Sequence, residues 1–104
     1  MIDSAFFFIK KSIQISTKLE ALSSLANAYF IEAYCYKFTK QYDLSERDYN
    51  IAIAIRKKMG DMFFIVSDMA EFADFYAQTN QPLKAISLTK QAIDSANKDR
   101  KSVV

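Results

Sequence analysis

Residues 33–42 read AYCYKFTKQY and residues 73–82 read ADFYAQTNQP. Four positions coincide at a separation of forty residues: Ala33 with Ala73, Tyr36 with Tyr76, Thr39 with Thr79, and Gln41 with Gln81. Carried outward, the same register adds Ala52 with Ala92, Ile53 with Ile93, and Lys58 with Lys98. These seven identities in forty positions exceed the roughly two or three that chance supplies in an internal comparison. The shift also lays the N-terminal segment on the second half of each unit, aligning Ala5, Ser45 and Ala85, then Ile9, Tyr49 and Thr89, then Ser12, Ala52 and Ala92, then Ile13, Ile53 and Ile93. The chain therefore reads as a half repeat over 1–18, whole repeats over 19–58 and 59–98, and a polar tail over 99–104. On this register it begins halfway through a unit, as a segment of a longer scaffold would.

Each unit has helical periodicity. Met62, Ile65, Val66, Met69, Phe72, Ala73 and Tyr76 recur at spacings of three and four, which is one face of a helix. Leu22, Leu25, Ala26, Tyr29, Ala33 and Tyr36 form the matching stripe, interrupted by the charge of Glu32. The chain holds one Gly and one Pro, too few for the turns of a strand architecture. Both fall at breaks: Gly60-Asp61 closes one helix and opens the next, and Pro82 stands at the start of the last. Five helices are predicted, at about 4–16, 19–38, 42–58, 62–78 and 82–98, in an all-α chain.

The residues at these spacings resemble the tetratricopeptide family, whose pattern places aromatic and small residues on a first helix and small, aromatic, small on a second. One copy reads Tyr29, Glu32-Ala33, Tyr36, Ser45, Tyr49, Ala52; the next reads Met69, Phe72-Ala73, Tyr76, Ala85, Thr89, Ala92. Small residues at Ala33, Ala52, Ala73 and Ala92 allow two helices to approach closely. Glu32 stands where the family pattern has an apolar residue and Thr89 where it has an aromatic one. The longer period is similar to the forty-residue variant of the family. The resemblance implies antiparallel helix hairpins stacked in an α-α superhelix, with a plain five-helix bundle as the other arrangement of the same helices.

Composition excludes most chemistry. With no histidine the commonest general base and metal ligand is missing, and a single glycine cannot build a phosphate-cradling loop. Neither an enzyme nor a cofactor site is expected. The net charge of +2 is too small for a nucleic-acid partner; Lys18, Arg56, Lys57, Lys58, Lys98, Arg100 and Lys101 cluster near helix ends, where cations offset the helix dipole. Cys35 has no second cysteine to pair with and reads as a core or groove thiol. No apolar stretch is long enough to span a membrane, and the Phe6-Phe7-Phe8-Ile9 run is too short for a secretory signal, which points toward the cytoplasm.

What remains is binding. The resemblance implies a protein–protein interaction module that holds a peptide or helix of a partner on the first helix of each repeat, its concave side. The inward family positions fall on Asn27, Phe30, Tyr34 and Lys37, then on Ser67, Ala70, Asp74 and Gln78. They lack the cationic set that grips chaperone tails. The half repeat suggests self-association: Phe6, Phe7 and Phe8 want a cover, either an upstream helix or a second chain in a homodimer. An alternative is a sensory or regulatory domain fused to a signalling or transcriptional output module. Two acidic features are singled out. Asp68, Glu71 and Asp74 form either an acidic strip for a basic ligand or a solvated face, and Glu32 needs either a ligand or a Tyr or Lys partner.

Overall fold

The computed structural model describes the backbone of residues 2–103 and the side chains of residues 2–98. It is all-α: α1 (Ile2–Lys18), α2 (Leu22–Phe38), α3 (Tyr42–Met59), α4 (Met62–Gln78) and α5 (Pro82–Val103). The second helix begins at Leu22 rather than at 19, because Leu19 to Ala21 form the turn that closes α1. The last helix runs through Val103, so the segment read as a tail continues it.

The turns explain the repeat. Backbone φ is positive at Glu20, Lys40, Gly60 and Asn80 (55°, 61°, 72° and 62°), one left-handed residue every twenty positions. At three of these turns the next residue returns its N–H to the carbonyl five positions back: Ala21 to Ser16 at 2.9 Å, Gln41 to Tyr36 at 2.9 Å, and Gln81 to Tyr76 at 2.8 Å. This closure satisfies carbonyls that a helix end otherwise leaves bare. The recurring Thr and Gln belong to it. Thr39 Oγ1 donates to the Tyr36 carbonyl (3.1 Å) and accepts from Gln41 Nε2 (2.7 Å). Thr79 Oγ1 donates to Phe75 and Tyr76 carbonyls and accepts from Gln81 Nε2 (2.9 Å). Only Gly60 and Asn80 are residues that take this conformation readily; Glu20 and Lys40 pay about 1 kcal/mol for it. Downstream, Asp61 accepts the Phe64 N–H at 3.3 Å and caps α4, while Pro82 opens α5 without forfeiting a needed N–H.

The chain divides into two compact units, Met1–Met59 and Gly60–Val104. In the first, α2 packs against both α1 and α3, forming two antiparallel hairpins. The predicted small residues lie at the α2–α3 contact: Ala33, Ser45 and Ala52 are fully buried, and Ser45 Oγ donates to the Ala33 carbonyl at 2.6 Å. A bond from a side chain of one helix to the backbone of its neighbour requires close approach, which a larger residue would prevent. Phe30 meets Tyr49 edge-on at 5.5 Å, and Phe6 meets Tyr36 at 4.8 Å. In the second unit α4 and α5 form one hairpin, with Ile65, Met69, Phe72, Ala73, Phe75, Tyr76, Leu88 and Ala92 buried and Phe72 stacked on Tyr76 at 4.5 Å.

Both first helices bury residues beyond the predicted stripe: Ala28, Glu32 and Cys35 on α2, and at the same register Asp68 and Phe75 on α4, flanking Phe72 of the stripe itself. For α2 the reason is its place between two helices. This corrects the reading of Asp68, Glu71 and Asp74 as one strip. Steps of three residues drift about 60° each around a helix, and Asp68 is carried to the buried side while Glu71 and Asp74 stay exposed. Arg56 stands in the last turn of α3, as expected, but its side chain has a further role. It is buried and donates to Asn27 Oδ1. The side chains of Arg100 and Lys101 lie outside the described residues.

Candidate functional site

The sequence-predicted partner residues divide into those that face out and those consumed by packing. On α2, Tyr34 is exposed and Lys37 half-buried, with the Lys37 ammonium 4.5 Å from the Tyr34 ring centroid. Phe30 instead turns toward Tyr49, and Asn27, though exposed, is engaged by Arg56. Two residues not foreseen complete the outward row: Ile31 and Phe38, the latter 68% exposed and 5.3 Å from the Tyr34 ring. Ile31, Tyr34 and Phe38 are spaced three and four apart, so they form an apolar ridge. That spacing was visible in the sequence, but the inward stripe of the same helix has the same period and obscured it.

On α4, Ser67, Ala70, Asp74 and Gln78 are all exposed. Glu71 joins them at the register position of Ile31. The corresponding rows therefore differ in chemistry: aromatic and basic on α2, small and acidic on α4. On α1 the Phe run splits. Phe6 is half-buried on Tyr36, whereas Phe7 and Phe8 are exposed, as are Ile15 and Leu19. Of the three proposed self-association residues, two present a free face.

A buried charge cluster joins the three helices of the first unit. Glu32 on α2, 2% exposed, receives Lys10 of α1 at 3.1 Å through Oε2 and faces Arg47 of α3 at 3.8 Å through Oε1. Lys10 Nζ also donates to Tyr36 Oη at 3.3 Å. The expected Lys or Tyr partner of Glu32 is thus a Lys, with a Tyr on the same ammonium. Arg47 in turn holds Asp48 Oδ1 through Nη2 and Nε, at 3.0 and 3.1 Å. Lys10 and Arg47 are each more than half exposed, while Asp48 is completely buried. An open pocket of about 360 Å³ lies over the cluster, lined by Lys10, Ile13, Tyr29, Glu32, Arg47 and Ile51.

The hydrogen bonds to Tyr36 and Glu32 raise the Lys10 ammonium above its ordinary value. Burial, followed by the hydrogen bond and charge of Glu32, pushes Asp48 up to about 7 against the pull of Arg47. Asp48 was not singled out from the sequence. A signal existed, since the forty-residue shift pairs it with Leu88, a buried apolar position. Cys35 is buried, and burial followed by the charge of Glu32 raises its thiol, so it is a poor nucleophile.

Among the described residues no helix is long and apolar enough to cross a membrane. Compared with family models, with curated proteins and with solved structures, the chain matches none.

Proposed function

We propose that this chain is a helical-repeat interaction module of tetratricopeptide type that holds a peptide or helix of another protein, as part of a larger scaffold or regulatory protein. The observation that carries the reading is the outward ridge of Ile31, Tyr34 and Phe38 on α2, with Lys37 over Tyr34. These side chains stand away from a core that is complete without them. Aromatic groups on a rigid helix provide contact area at little entropic cost, which is why such groups anchor interfaces. The ridge's ligand is accordingly an amphipathic segment with apolar anchors. In the other unit the α4 row, Glu71 and Asp74 beside Ser67, Ala70 and Gln78, is by itself a surface that favours a basic segment.

A peptide-display selection against the whole chain tests this. Enriched peptides are expected to share apolar residues at helical or alternate spacing. Their affinity should fall about tenfold or more with Tyr34→Ala plus Phe38→Ala, while any enriched basic peptides should instead weaken with Glu71→Lys plus Asp74→Lys. Both variants alter exposed positions, so circular dichroism should match the parent. A selection that enriches nothing, or peptides indifferent to both variants, would refute the proposal.

A further inference from the structure

The two acids of the buried cluster share one guanidinium nitrogen, since Arg47 Nη2 is 3.0 Å from Asp48 Oδ1 and 3.8 Å from Glu32 Oε1, and their side chains are hydrogen-bonding neighbours. Lys10 takes the remaining oxygen of Glu32. Asp48 Oδ2, however, meets no hydrogen-bond donor among the described residues. An ionised carboxylate oxygen buried without a donor, beside a second carboxylate, is costly on two counts: lost hydration and like-charge repulsion. A proton on Asp48 relieves both, because it removes the second charge and gives the carboxyl a hydroxyl to donate to the neighbouring Glu32.

We propose that the α1–α2–α3 unit is a proton-linked switch, in which a proton on buried Asp48, held beside Glu32, keeps α3 against α2 and its loss loosens that contact. The groups facing the pair are Lys10 from α1, Tyr29, Cys35 and Tyr36 from α2 around Glu32, and Arg47 from α3 itself. Lys10 and Arg47 reach the cluster from solvent, so neither fully screens two charges lodged at the helix contact. The sign follows from proton counting. Between the ordinary aspartate value of 3.8 and the folded value of about 7, the closed unit keeps the proton and the opened chain has released it. Stability is therefore greatest below this interval, falls as pH rises through it, and levels off above about 7. The proposal does not depend on what the outward ridge binds.

The test follows the Asp48 carboxyl carbon by NMR on the full chain from pH 3 to 9. It also measures the opening equilibrium of α2 and α3 amides by hydrogen exchange at pH 5 and pH 8, corrected for intrinsic rates. Asp48 is expected to titrate near neutrality, and opening should increase up to about ninetyfold between the two pH values. Asp48→Asn, whose amide can still accept from Arg47 and donate to Glu32, should abolish that increase. Glu32→Gln should bring Asp48 down toward ordinary values and shrink the increase, an outcome that stands even if the Asn variant fails to fold. Titration of Asp48 below pH 5 in the parent chain, or the same pH response in a folded Asp48→Asn variant, would overturn the proposal.

Discussion

Removing either end of the Lys10–Glu32 ion pair should have unequal consequences, although the same 3.1 Å contact is lost. Consider Lys10→Met. Glu32 stays at 2% exposure with its nearest cation at 3.8 Å, too far for a good hydrogen bond. Stripping one partner from a fully buried pair costs roughly 3–5 kcal/mol. Lys10 is itself 59% exposed, and Arg47 keeps part of the attraction, so solvent screening reduces the expected loss to about 1.5–3 kcal/mol. Glu32→Leu leaves the opposite remainder. The two cations released, Lys10 and Arg47, are already more than half in water and hydrate without rearranging the core. The leucine is close in volume, and its burial replaces the cost of burying a charge. Asp48 loses its hydrogen-bonding neighbour in Glu32 but also the like charge beside it, so the net change should stay within about 1 kcal/mol. Urea denaturation at pH 6 would measure both against the parent chain, in which Asp48 largely keeps its proton at that pH. Unchanged m values would confirm that the native and unfolded states remain comparable. A Glu32→Leu loss equal to or larger than that of Lys10→Met would refute the argument that burial asymmetry governs the pair.

Three further outcomes are expected. At the left-handed turn positions, Lys40→Gly should stabilise and Gly60→Ala destabilise, each by about 0.5–1 kcal/mol in thermal denaturation; an added Cβ at Gly60 meets nothing within 4 Å, so that loss is conformational rather than steric. Ser45→Ala should cost about 1 kcal/mol, the value of one buried neutral hydrogen bond, because Ala85 stands at the equivalent position. Ala52→Leu, at a site with no exposed surface, should cost about 2–3 kcal/mol by forcing α2 and α3 apart, visible as a lowered urea midpoint.

Helix number, the close-approach alanines and the forty-residue register were all legible in the residue string, because each leaves a local trace. A helix shows its period within a dozen residues, and a small residue at a contact is small wherever the chain goes. The repeated Thr and Gln carried more information than their identity suggested, being the hydrogen-bonding parts of a turn. The turns at Glu20 and Lys40 left no such trace, since neither residue favours the conformation that its position imposes; neighbouring helices hold it there.

The site was less legible. Tyr34 and Lys37 could be placed outward, but Phe30 could not be told from Ile31 or Phe38, because α2 has apolar residues on three sides and only its neighbours decide which are covered. Sequence alone determined that Glu32 was a charge on an apolar stripe in need of a partner. Tertiary structure decided which one: Lys10 lies 22 residues away in the chain, and the Arg47–Asp48 pair comes from a third helix. Spacing along a chain fixes which residues share a face of one helix. Which faces meet, and hence where a proton or a partner can be held, depends on packing between helices that no local pattern encodes.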